Sequence, residues 1–157
     1  MLEIERKFLV VSGAYRDHAT SRREMVQGFL STDPERTIRV RRSGEKAWIT
    51  IKGLTTQAGT TRQEWEYEIP PGDAESLLAL CTDTPIRKTR YEVPSGRHVF
   101  EVDEFRDANA GLVLAEVELA SADEDFSRPE WLGKEVTGNP AYYNSQLSIK
   151  PYSTWND

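Results

Sequence analysis

The chain has 157 residues, a net charge of −6, and 38% hydrophobic and 29% charged side chains. These values fit one soluble globular domain over residues 1–157 and exclude a disordered chain. They also exclude a nucleic-acid binder of the usual basic kind, and no apolar run approaches the ~20 residues that cross a membrane.

In chain order, residues 2–10 alternate Leu2, Ile4, Arg6, Phe8 and Val10 against Glu3, Glu5, Lys7 and Leu9, the period of a strand. The opening lacks a secretory-signal layout, so a cytoplasmic location is expected. Residues 24–31 read as a second strand. Residues 37–42 and 46–52 form a hairpin around Ser43-Gly44-Glu45, and a polar Gly-containing loop follows at 53–61. Residues 63–69 are a further strand, ended by Pro70-Pro71. Asp73 is placed to cap a helix over 74–81, with Leu77, Leu78 and Leu80 as its apolar stripe. Its last residue, Cys81, is expected to be buried; as the single cysteine it can form no internal disulfide. Residues 86–93 and 98–105 suggest a hairpin through Pro94-Ser95-Gly96, and 113–120 the last strong strand. The tail reads as helical pieces at 123–126, 129–132 and 140–149. His18 and His98 stand far apart with no soft ligand beside them, which argues against zinc. About eight short strands with regular turns point to a sandwich or a closed barrel.

The informative feature is the charge on each strand's second face. It reads Glu3, Glu5 and Lys7; Arg39 and Arg41; Thr50 and Lys52; Glu64, Glu66 and Glu68; Lys88 and Arg90; Glu101 and Asp103; Glu116 and Glu118. Side chains at i and i+2 share a face. Any one such face could simply meet water. Same-sign pairs, however, gain nothing from each other, and Arg6, Arg42 and Arg87 interrupt the opposite faces. Paired carboxylates supply hard oxygen ligands for Mg²⁺ or Mn²⁺, and paired cations bind phosphate oxygens. One barrel lumen could hold both sets together with a small ligand. That combination describes a metal–polyphosphate site.

These residues resemble the CYTH superfamily, the triphosphate tunnel metalloenzymes. The resemblance rests on EIERKFLV at 3–10, QGFLS at 27–31, RVR at 39–41, TIKG at 50–53 and RQEWEYEI at 62–69. RKTRY at 87–91, EVDEF at 101–105, AEVEL at 115–119 and LGKEVT at 132–137 continue it in family order. It implies a mainly β (α+β) fold, a closed antiparallel eight-stranded β-barrel with peripheral helices and a C-terminal helix. It further implies that Glu3, Glu5, Glu116 and Glu118 bind metal, Mg²⁺ or Mn²⁺. Lys7, Arg39, Arg41, Lys52, Lys88 and Arg90 would bind the triphosphate. Glu5, Glu64, Glu66 and Asp103 form the expected catalytic carboxylates. Lys134 either reaches the barrel mouth or is an exposed loop residue, and Tyr142, Tyr143 and Leu147 are expected to pack.

The short chain resembles the compact bacterial subgroup, which implies hydrolysis of inorganic tripolyphosphate to pyrophosphate and phosphate. The alternatives are hydrolysis of thiamine triphosphate or a nucleotide, a class IV-type adenylate cyclase, and a non-catalytic polyphosphate-binding module. A small polyanion is the expected partner, nucleic acid and membrane are not, and a homodimer is possible within such families.

Overall fold

Alternation along each strand becomes a wall with a polar inside and an apolar outside. The computed structural model describes residues 2–56 and 59–155. Its strands are β1 (Leu2–Val10), β2 (Ser21–Ser31), β3 (Thr37–Ser43), β4 (Lys46–Lys52), β5 (Thr61–Ile69), β6 (Ile86–Ser95), β7 (His98–Phe105), β8 (Val113–Glu118) and β9 (Leu132–Glu135). Two α-helices, α1 (Pro71–Ala79) and α2 (Asn144–Leu147), lie outside this wall.

The strands run in the order β5-β4-β3-β2-β6-β7-β8-β1, and β1 closes the circle by pairing with β5. Every pairing is antiparallel. β1 is shared along its length. Leu2–Ile4 pair with β5, Glu5–Leu9 pair with β8, and Phe8 and Val10 take β9 as an extra strand. Closure leaves the barrel proper without free edges.

Three apolar clusters hold the wall, and two lie outside it. Phe8, Tyr91, Phe100, Val102 and Val117 pack under Tyr15 and Trp131 from the flanking segments. Val40, Ala47 and Ile49 pack under Ala74, Leu77 and Leu78 of α1. The third cluster plugs one end. Phe29, Ile86, Phe105, Leu112 and Leu114 meet Leu147 of α2 and Val136 there.

Several expectations need correction. α1 begins at Pro71 after Pro70, whose side chain makes no cap bond, so Asp73 sits inside the first turn rather than capping it. Leu80 is exposed, and the buried stripe starts at Ala74. Cys81 lies past the helix and is half-buried against Gly28, where an added Cβ would meet its Sγ. β6 runs through Pro94 and Ser95, leaving Gly96-Arg97 as the turn. Residues 123–126 are not helical. Leu132–Glu135 is a strand, because β1 offers it an open edge beyond Phe8. The helix expected over 140–149 is a 3-10 turn at Pro140–Tyr142 followed by the four residues of α2. Lys134 is exposed on β9.

Outside the lumen the interrupting arginines are accounted for. Arg6 bonds Glu135 through two nitrogens at 2.8 and 2.6 Å and lies over Phe126, tying β9 and the loop before it to β1. Arg42 pairs with Glu75 of α1. Arg87 is exposed beside Asp107.

Candidate active site

Register places the charged sets on one surface. Glu3 is opposite Arg62, Lys7 opposite Glu116, Arg39 opposite Thr50, Lys52 opposite Glu64, and Arg90 opposite Asp103. Facing residues in an antiparallel pair point to the same side, so all of these face the lumen. Together Glu3, Glu5, Lys7, Arg39, Lys52, Lys88, Arg90 and Glu116 line one internal space of about 770 Å³, including the part open to solvent. Thr55, Gly59 and Thr60 and the segment around Thr137, Gly138, Tyr143 and Asn144 cover it at the plugged end.

The carboxylates differ in their surroundings. Glu5 and Glu116 share a hydrogen bond in which the Glu5 hydroxyl donates. Burial, then Glu116 and Glu3, push the Glu5 carboxyl well above the usual range. Glu116 is held below the usual range, because Lys7, the Glu5 bond and Arg90 outweigh its burial. The pair thus shares one proton, as two carboxyls crowded in low dielectric must. Glu3 is also buried, but Lys52 at 2.8 Å more than offsets that and lowers its carboxyl. In return Glu3 and Glu5 keep the buried Lys52 charged, against desolvation.

Asp103 differs from the rest. It is 1% exposed and accepts two bonds from Arg90, at 2.8 and 2.9 Å, and one ion pair from Lys88 at 2.8 Å. Burial would raise its carboxyl, yet the two cations hold it far below the usual range. A carboxylate so occupied has little basicity. Both its oxygens are engaged by Arg90 and Lys88, which sets it apart from the other carboxylates expected to be catalytic. The single charge of Asp103 is divided, and Arg90 takes it with better geometry. Burial and Arg90 therefore pull Lys88 down to about 8 despite the ion pair.

Glu66 accepts from Thr50 at 2.7 Å and lies 3.5 and 3.7 Å from Arg39 and Arg41. Glu64 stands 3.7 Å from Lys52, and burial and then Glu3 raise its carboxyl. Glu118, expected among the metal ligands, is exposed at the rim, where burial of part of its side chain and then Glu3 raise it. Arg41 lies over the Trp48 ring toward the open end. Burial, then Arg39 and Arg90, lower it to about 10. Its Nε and that of Arg39 are buried with no hydrogen-bond partner among the described residues. Such donors are costly to leave unmet and suit an anion.

Among the lumen residues absent from the expected set are Arg62, Tyr143 and Asn144. Arg62 lines the cavity, bonded to Gly53 O and Thr37. Its parity with Glu64 and Glu66 is the signal that could have found it. Tyr143 lines the cavity under the Lys7 ammonium, 5.5 Å from the ring centroid, rather than only packing. Asn144 bonds Lys88 and had no local signal.

The donor chemistry can be tested against a divalent cation. Among the described residues no three carboxyl, imidazole or thiol groups form a ready-made cage. Mg²⁺ does not require one; it keeps waters and takes one or two carboxylates plus substrate phosphates. A cation would replace the proton shared by Glu5 and Glu116 beside Glu3, so these three fit it. Glu118 is the outlier of the expected four.

The family model described as the CYTH domain matches residues 1–148. An inorganic triphosphatase of Acetivibrio thermocellus is 42% identical over 156 residues, covering 99% of this chain and 98% of that protein. One of Nitrosomonas europaea is 35% identical, covering 95% and 98%. A solved crystal structure of an inorganic triphosphatase matches with a TM-score of 0.66 at 33% identity, covering 94% and 97%.

Proposed function

The chain belongs to the CYTH domain family, and on that premise we propose that it is a metal-dependent triphosphatase that hydrolyses inorganic tripolyphosphate to pyrophosphate and phosphate. The observation that carries this reading is the convergence of buried cations with the carboxylates Glu3, Glu5 and Glu116 around one cavity. Such a lumen fits a small, heavily charged anion carrying a divalent cation.

Lys7, Arg39, Arg41, Lys52, Lys88 and Arg90, joined by Arg62, bind the non-bridging oxygens, and their fixed charges oppose the negative charge that develops during transfer. Asp103 holds Arg90 and Lys88 in place for this. Glu5 and Glu116, with Glu3, would hold Mg²⁺ or Mn²⁺, which when bound would supply Lewis-acid chemistry to the substrate. Water attacks a terminal phosphorus in line, the bridging P–O bond breaks, and pyrophosphate leaves. The proton passes to a carboxylate. Glu64 is the candidate of the expected set, since burial and Glu3 raise its carboxyl, whereas Glu66 is engaged by Thr50, Arg39 and Arg41.

The test is to incubate the purified protein with tripolyphosphate, ATP or thiamine triphosphate, each with Mg²⁺ or Mn²⁺, and to assay phosphate, pyrophosphate and cyclic AMP. Tripolyphosphate should be turned over fastest. Cyclic AMP with pyrophosphate from ATP would overturn hydrolysis, and no turnover of any substrate would leave a binding module. Glu5→Gln should abolish turnover with the fold intact; an unchanged rate would remove Glu5 from the site.

A further inference from the structure

The lumen's plugged end contains a donor–acceptor chain that none of the expected roles uses. Lys88, 1% exposed, donates from Nζ to Asn144 Oδ1 at 3.0 Å. Gln27, fully buried on the lumen face of β2, donates from Nε2 to the same oxygen at 2.6 Å. An ammonium has donors only, so Asn144 must present its oxygen to Lys88. With that oxygen fixed, Gln27 must present its NH₂, which leaves Gln27 Oε1 buried without a partner among the described residues. The same logic fixes the other half of Asn144. Its Nδ2 points away from both donors, and the residue lines the cavity.

The segment that carries Asn144 is anchored. Leu147 is fully buried in the plug. The Lys7 ammonium donates to Tyr142 O at 3.1 Å and lies over Tyr143. Two lumen cations from different strands therefore grip one short stretch.

We propose that Asn144 is a substrate-binding residue: with its oxygen held by Lys88 and Gln27, its amide NH₂ donates to a phosphoryl oxygen at the plugged end of the lumen. This rests on the triphosphatase reading above and adds a neutral donor from the C-terminal segment to the cations of the wall. A neutral donor there grips the terminal phosphoryl without further like-charge crowding among Lys7, Lys88 and Arg90.

The test is calorimetric binding of tripolyphosphate to the full chain in chelator, where no turnover occurs, for the wild type, Asn144→Ala and Asn144→Asp at pH 7 and pH 9. Loss of a hydrogen bond to a charged oxygen should weaken binding by ~10- to 100-fold in Asn144→Ala, equally at both pH values. Asn144→Asp keeps the acceptor for Lys88 and Gln27 but offers no NH₂, so it should bind no better than Asn144→Ala. The assignment is overturned if Asn144→Asp restores what Asn144→Ala loses. It is equally overturned if the loss disappears at pH 9, where Lys88, lowered by burial, carries less charge, since Asn144 would then act only through that lysine. Wild-type protein that binds tripolyphosphate but never cleaves it refutes the hydrolase reading and leaves Asn144 to be judged by the variants. Variants that bind like an active wild type refute Asn144 alone.

Discussion

At the scale of single residues, the lumen separates cations that keep their charge from one that can lose it. Arg90 is raised because Asp103 and Glu101 outweigh its burial, whereas Lys88 is lowered to about 8 by burial and Arg90. A lysine whose folded pKa lies below its unfolded value of ~10.4 disfavours folding while charged, so ligand-free stability should rise between about pH 8 and ~10.4. Substrate grip runs the other way. The KM for tripolyphosphate should climb as pH passes 8, and Lys88→Arg, which stays charged, should flatten that climb; equal pH profiles would exclude Lys88 as its source. Asp103 shows the opposite sign. Its depressed carboxyl stabilises the fold above the unfolded carboxylate pKa, and that contribution fades as acid protonates it. Asp103→Asn strips the shared counter-charge from two buried cations and should cost about 3–5 kcal/mol, read as a lower Tm in thermal melts at pH 7.

Among the elements, the short segments outside the eight wall strands decide the shape of the site. Gly59 and Gly138 come from different loops and meet backbone to backbone at the plugged end. A Cβ on Gly59, whose φ is +88°, would lie 2.3 Å from Gly138 Cα. No flexible side chain can yield there, so one loop must move. Gly59→Ala should cost about 1–3 kcal/mol of stability while leaving the far-UV spectrum of the barrel unchanged, and an unaltered Tm would show that the contact is slack. β9 depends on a similar close approach. A Cβ on Gly133 would meet Val11 at 2.7 Å and Leu9 O at 3.0 Å, which explains a glycine within a strand. The sequence instead suggests a helical piece at 129–132, and β9 begins only at its last residue, Leu132. The helix expected over 140–149 breaks at Tyr143, which is extended between the 3-10 turn and α2, while Leu147 packs in the plug and Asn144 bonds Lys88.

For the whole molecule, a chain of net charge −6 encloses a site built for an anion because its cations are gathered on the inner face. Filling that site should relieve repulsion among Arg39, Arg41 and Arg90. Tripolyphosphate at ~100 times its Kd should add ~2.7 kcal/mol, a Tm rise of about 5–10 °C for a chain of this size. Added salt should shrink the rise by screening. No rise at any salt concentration would mean that the lumen is not the anion site. By itself the sequence determined the period-two strands, the same-sign pairs from Glu3 to Glu118 and the family they resemble, because alternation is a local property that fixes which residues share a face. Barrel closure lay further off, since Leu2–Ile4 meet β5 about sixty positions along the chain. Only the tertiary structure decided that Asp103 is bonded to Arg90 and Lys88, that Glu118 is exposed at the rim, and that Arg62, Tyr143 and Asn144 line the lumen. Those roles depend on which charged neighbours share a buried space, and Coulomb and desolvation terms follow distance through the fold rather than spacing along the chain.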